Sequence, residues 1–228
     1  MRIKKSLFAS LAFSSITLLA SAPVFAASNL LVNGDFENQP NWGKNTGGCY
    51  ADLFCSDLTG AQIPGWTIEQ GSAVAVHVAG WYPTISGKYS VNTDGEGYNG
   101  RNSDLYQDFT SSIGSQYTLQ YDWQGWFKNN TPHLNISVTD LSTAAVLYNG
   151  NFSWSSSLMH EVATFAGTGN LLQLRVQQNP QSHNNDNTFL VDNFSLTAVP
   201  LPGASVLMMS ALGLLGCVMR RGKKNIDG

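Results

Sequence analysis

Alternation with a period of two dominates the middle of the chain. In Tyr117-Thr-Leu-Gln-Tyr-Asp-Trp123, Tyr117, Leu119, Tyr121 and Trp123 share one side, with Thr118, Gln120 and Asp122 opposite. Leu134, Ile136 and Val138 alternate with Asn135, Ser137 and Thr139, and Leu172, Leu174 and Val176 with Gln173, Arg175 and Gln177. Runs of this kind are strands with one buried face. Pro64-Gly65, Asp94-Gly95 and Asn149-Gly150 read as turns between them. No helical period is found between residues 27 and 199. The pattern predicts an all-β fold, an antiparallel β-sandwich with a jelly roll as the leading architecture. Trp66 and Trp123 are expected in the core, and His77, between Val76 and Val78, at the sheet surface. Long loops are expected over Gln39–Thr59, Asp94–Ser103 and Pro180–Asn187.

Two apolar runs frame this region. Arg2, Lys4 and Lys5 precede the apolar stretch Leu7 to Ala20, and Val24-Phe25-Ala26 offers small residues at a cleavage site. A signal peptide over residues 1–26 is expected, with cleavage after Ala26. At the other end, Val199-Pro-Leu-Pro-Gly203 leads into the apolar run Ala204 to Met219, closed by Arg220, Arg221, Lys223 and Lys224. An apolar segment with cations on one flank stops in a bilayer with those cations on the cytoplasmic side. Motif, run and basic end together resemble the PEP-CTERM class of bacterial sorting signals in its Val-Pro-Leu-Pro-Ala form. Val199, Pro200, Leu201 and Pro202 match, and Gly203 stands where Ala is usual. The resemblance implies an exosortase-type processing partner at the membrane and a bacterium that makes exopolysaccharide and biofilm matrix. An ordinary single-pass anchor is the alternative. The expected organisation is therefore leader 1–26, β-sandwich domain 27–199 and C-terminal sorting tail with an apolar helix, 200–228, in an exported surface or extracellular protein.

The charge of the body differs from the −3 of the whole 228-residue chain. Between residues 27 and 199 only Lys44, Lys88, Arg101, Lys128 and Arg175 are basic, against fourteen acidic residues, a net −9. Such a surface repels phosphate backbones and excludes nucleic acid as a partner. Calcium or a neutral polymer suits it better. Cys49 and Cys55 are expected to form a disulfide, because no His lies near enough in sequence to complete a zinc site.

Six further motifs occur in order: Asn29-Leu-Leu-Val-Asn-Gly-Asp-Phe-Glu37, Ile63-Pro-Gly-Trp66, Gly87-Lys-Tyr-Ser-Val-Asn-Thr-Asp-Gly95, Leu105-Tyr-Gln-Asp-Phe109, Gln116-Tyr-Thr-Leu-Gln-Tyr121 and Val191-Asp-Asn-Phe-Ser-Leu196. Their order resembles the galactose-binding-like jelly roll shared by plant cell-wall proteins and many bacterial exported proteins. That resemblance implies a non-catalytic carbohydrate-binding module with a structural calcium ion. The chain departs from it at the Cys49–Cys55 loop and in the shortened hydrophobic pattern of Val91-Asn-Thr-Asp94.

Residue phase gives calcium separate support. Asp192 shares the phase of Leu190, Phe194 and Leu196, and a core-facing carboxylate needs a partner or a metal. Asp35 and Glu37 share one phase of the expected first strand, opposite Leu30, Val32 and Phe36. Asn33, Asp35, Glu37 and Asp192 are the candidate Ca²⁺ ligands, hard oxygen donors of the right kind. The alternative is that Asp192 bonds a nearby backbone amide.

For a sugar, aromatic planes and side-chain amides are the raw material. Trp81, Tyr82, Trp126 and Trp154 fit an exposed platform beside turns, and Tyr98 and Arg101 could bond hydroxyls from the Gly-rich loop. A glycosidase or lyase would instead need paired carboxylates, drawn from Glu69, Asp94, Glu96, Asp104 and Glu161. No Gly-x-Ser-x-Gly, His-Glu-x-x-His or phosphate-loop motif is present. A third reading is a structural or adhesive matrix protein acting through strand edges.

Overall fold

A computed structural model describes residues 28–39, 49–50, 54–93, 103–126, 133–179 and 188–199. The leader 1–26, Tyr98, Arg101, the loop Pro180–Asn187 and the tail from Pro200 through Leu201 and Pro202 lie outside these residues.

Among the described residues every regular element is a strand: β1 Cys49–Tyr50, β2 Phe54–Leu58, β3 Thr67–Ile68, β4 Val74–Val78, β5 Tyr89–Asn92, β6 Asp104–Thr110, β7 Gln116–Gly125, β8 His133–Asp140, β9 Val146–Ser153, β10 Met159–Ala166, β11 Leu171–Asn179 and β12 Phe189–Val199. They form a seven-stranded sheet, β1-β2-β4-β5-β12-β7-β10, and a five-stranded sheet, β3-β6-β11-β8-β9. All the strand pairs are antiparallel. The two inner faces share one apolar core, as two sheets with alternating sequences must.

The period-two reading holds where it was strongest. Tyr117, Leu119, Tyr121 and Trp123 are buried, as are Leu134, Ile136, Val138, Leu172, Leu174, Val176 and Trp66. At the centre Trp66 packs 5.3 Å from both Phe36 and Phe194, and Tyr121 stacks on Phe194 at 5.3 Å. Burying each such ring contributes about 2 kcal/mol from removed apolar area.

Four expectations change. The first strand does not form: residues 31–36 are turns, with Asn33 and Phe36 at φ 53° and 54°. The segment still runs beside β12, through Leu30 N–H to Leu196 O and Phe194 N–H to Gly34 O. Asn149-Gly150 is not a turn but the middle of β9, opposite Ser137 and Ile136. A Cβ at Gly150 would crowd the Tyr148 hydroxyl and the Phe152 ring. Cys49 and Cys55 sit on strands rather than in a loop, directly opposite one another in the β1–β2 pair. Opposed antiparallel residues have Cα separations of about 4.5–5.5 Å, within the range a disulfide spans.

The fourth change is His77, which is buried rather than at the surface. Its Nδ1 lies 3.1 Å from Pro83 O and its Nε2 2.8 Å from Asn92 Nδ2. Both ring nitrogens are thus held by polar partners. The segment after β4 folds back over the sheet, which is why the strand is covered on both faces.

Candidate functional site

The outer face of the five-stranded sheet presents the polar half of each alternating strand. Register sets these side chains in rows. One row runs Thr67, Tyr106, Arg175, Ser137, Asn149 across β3, β6, β11, β8 and β9. The next runs Asp104, Gln177, Asn135, Asn151. Asp108, Gln173 and Thr139 begin a third. Four strand spacings make the longest row roughly 19 Å across. Apart from the mostly buried Asp104, these side chains are half-buried or exposed.

Arg175 organises this face. Its Nε and one terminal nitrogen bond both Asp104 oxygens at 2.7 and 2.8 Å, and the same terminal nitrogen reaches Glu69 Oε2 at 2.8 Å. These carboxylates, Asp104 first, raise the guanidinium pKa further and keep it charged. The guanidinium also lies 5.8 Å from the Tyr106 ring centre. Gln177 Nε2 donates to Asp104 at 2.7 Å, Gln173 Nε2 to Asp108 at 3.0 Å, and Asn135 Nδ2 to Asn149 Oδ1 at 2.7 Å. The result is an array of amides and carboxylates bonded to one another across β6, β11, β8 and β9, on the same face as the Tyr106 ring. Its three carboxylates outnumber its one cation, and that cation is already neutralised.

The sequence-predicted aromatics are only partly gathered. Tyr82 and Trp126 both pack on the His77 ring, at 4.9 and 6.1 Å, on the outer face of the other sheet. Trp81, 69% exposed, adjoins Tyr82. Trp154 lies elsewhere, half-buried against the core, so close over Gly125 that a Cβ there would fall 2.4 Å from its Nε1. It packs on backbone rather than standing as a platform.

Of the carboxylates considered for catalysis, Glu69 and Asp104 are brought together, but Arg175 binds both. Glu161 faces Trp123 Nε1 at 3.4 Å, while Asp94 and Glu96 lie outside the described residues.

The four proposed calcium ligands are placed as follows. Asn33 caps its own turn, donating to Pro64 O and accepting from Asn38 N–H. Asp35 is exposed, 3.4 Å from Glu37 N–H. Glu37 Oε1 accepts from Lys88 and Tyr89 N–H at 2.7 and 2.9 Å. A bulge between Asp192 and Ser195, with Asn193 at φ 55°, switches the phase of β12. Phe194 and Leu196 therefore enter the core while Asp192 sides with Asp122 on the outer face, covered by residues 85–90. Asp192 accepts from Ser90 Oγ (2.8 Å), Asn193 N–H (2.7 Å) and both Ser86 N–H and Oγ (3.3 Å). Burial pushes its pKa up to about 6 despite these bonds. Among the described residues no three Asp, Glu, His or Cys side chains group closely enough to hold an ion. Hydrogen-bond donors fill the space around Asp192 that a cation would take, so its surroundings do not fit an ion as they stand.

The polar sheet face was missed as a site although Gln173, Arg175, Gln177, Asn135 and Ser137 were all legible as the outward half of their strands. Sequence alternation says which residues point outward; only register says which of them become neighbours.

No protein-family model matches the chain, and no curated protein is similar to it. Among solved structures it is similar to TmCBM61 in complex with β-1,4-galactotriose, at 13% identity over 76% of this chain and 100% of that one, TM-score 0.47. A family 16 carbohydrate-binding module aligns at 17% identity over 74% and 99%, TM-score 0.48. An arabinose-bound α-L-arabinofuranosidase aligns at 11% identity over 77% of this chain but 27% of its own, TM-score 0.49.

Proposed function

We propose that this protein is a non-catalytic binder of uncharged polysaccharide, and that the outer face of the five-stranded sheet is its binding surface. The observation that carries this reading is the array of side-chain amides on the sheet face that also bears Tyr106. Side-chain amides donate and accept, as sugar hydroxyls do, and a fixed phenol ring offers a plane for the C–H face of a sugar. Pre-bonded side chains lose little freedom on binding, which favours affinity. With Arg175 committed to Asp104 and Glu69, no cation is left among the described residues of the face for a uronate or sulfate.

The galactose-binding-like jelly roll, export by the leader, an exopolysaccharide ligand and sorting through Val199 to Pro202 and the following apolar run belong to the same proposal. They rest on the motifs of the sequence. A structural calcium ion is the remaining proposal and rests on the sequence resemblance; of its candidate ligands, Glu37 keeps Oε2 without a hydrogen bond among the described residues.

Affinity electrophoresis in gels containing neutral glucans, galactans or xylans tests the site. Tyr106→Ala and Gln177→Ala are expected to abolish retardation by the polymer the wild type binds, with unchanged melting temperature. Retardation that survives both, or is lost instead in Trp81→Ala, would move the site to the aromatic loop. Retardation should also persist at high salt, because an uncharged ligand has no screened attraction to lose.

A further inference from the structure

Three turns meet at the end of the sandwich where β12 finishes. Residues 111–115 join β6 to β7, 141–145 join β8 to β9, and 167–170 join β10 to β11. Ser111 N–H bonds Asn170 O, Gly167 N–H bonds Ser115 O, and Leu141 N–H bonds Leu171 O. Val199, the last residue of β12, pairs with Gln116 just beyond the first turn. The three turns read Ser-Ser-Ile-Gly-Ser, Leu-Ser-Thr-Ala-Ala and Gly-Thr-Gly-Asn, without one ionisable side chain. The neighbouring Asp140 is fully buried, its oxygens taken by Ser142 N–H, Thr143 N–H and Asn170 Nδ2.

Aliphatic side chains project from this end. Ile113 is 83% exposed, and Val146, Leu141, Leu171 and Val199 are exposed as well. In a body of net −9, three described turns without charge and five exposed aliphatics beside them stand out. Exposed apolar patches of this kind mark a surface that meets another phase or partner.

The chain itself indicates which. Only residues 200–203 separate Val199 from the apolar run Ala204 to Met219, a reach of at most roughly 18 Å when fully extended. We propose that this turn cluster is a lipid-facing surface that seats the sandwich on the bilayer entered by the chain's own C-terminal run, leaving the polar sheet face free for polymer. The proposal rests on the tail reading above, and the neutral turns suit it, since charges there would meet a desolvation cost at the interface.

The test uses the full chain reconstituted into phosphatidylcholine vesicles, with benzoylphenylalanine replacing Ile113, Leu141 or, as a control on the far loop, Ser156. Flotation with the vesicles reports the tail; the ratio of lipid adducts reports the seat. Lipid adducts several-fold more abundant at 113 and 141 than at 156, and reduced at 141 by Ile113→Asp, are expected. Flotation with equal adducts at all three positions overturns the seat while leaving the tail reading intact. Protein–protein adducts at 113 overturn it in favour of a second copy, and failure to float overturns both.

Discussion

At Asp192 two effects compete and burial wins. Four donors hold the carboxylate, each favouring its charged form, yet desolvation still leaves its pKa near 6. Because that value lies above the ordinary one near 3.8, the neutral carboxyl stabilises the fold fully below about pH 4 and loses this contribution as pH rises through about 6. A shift of that size corresponds to about 3 kcal/mol. Asp192→Asn removes the titration while keeping the shape. Its melting temperature is expected to exceed the wild type's at pH 7.5 and to approach it near pH 4. A bound calcium ion would reverse the sign, and chelation would then lower the wild-type melt. Asp140 behaves oppositely: amide donors led by Asn170 lower its pKa to about 2, so its contribution is present above pH 4 and fails only as pH falls toward 2. Asp140→Ala should therefore lower the melting temperature at pH 7. At this scale the sequence was a good guide to Trp123, whose burial follows from strand phase, and to Trp66 after its Pro-Gly turn, and a poor one to His77, buried by a segment that folds back through Tyr82 and Pro83.

Elements show where phase arguments stop. The alternation of β12 was read straight through Asp192, but the bulge at Asn193 inserts a residue and turns Phe194 inward. Nothing local in Val-Asp-Asn-Phe announces that switch; it depends on Gly34, whose carbonyl receives Phe194 N–H. A Cβ on Gly34 would sit 2.0 Å from Phe194 O. Gly34→Ala is expected to destabilise by about 3 kcal/mol in urea titration, since neither backbone can yield without breaking the core. A loss below about 0.5 kcal/mol, the level of an ordinary surface substitution, would show the contact to be dispensable. The β1–β2 pair gives a second prediction. If Cys49 and Cys55 are bonded, Cys49→Ser should cost about 2 kcal/mol by loop-closure entropy, and thiol titration of the folded wild type should find neither residue free. Equal stability of variant and wild type would argue for two thiols.

For the whole molecule, binary pattern alone sufficed for an all-β body in two antiparallel layers, because β7, β8 and β11 carry their buried faces in plain alternation. The location of the candidate site did not follow, since it depends on sheet order: β11 lies between β6 and β8, though fifty or more residues of sequence separate it from β6. That order makes Arg175 a neighbour of Tyr106 and Ser137, and converts scattered Asn and Gln into one surface. Side-chain amide resonances measure this claim most directly. On titrating the isotope-labelled protein with a neutral oligosaccharide it binds, the NH₂ signals of Asn135, Asn149, Asn151, Gln173 and Gln177 should shift together and saturate together. Shifts confined to the indole signals of Trp81 and Trp126, with those amides unmoved, would contradict the account.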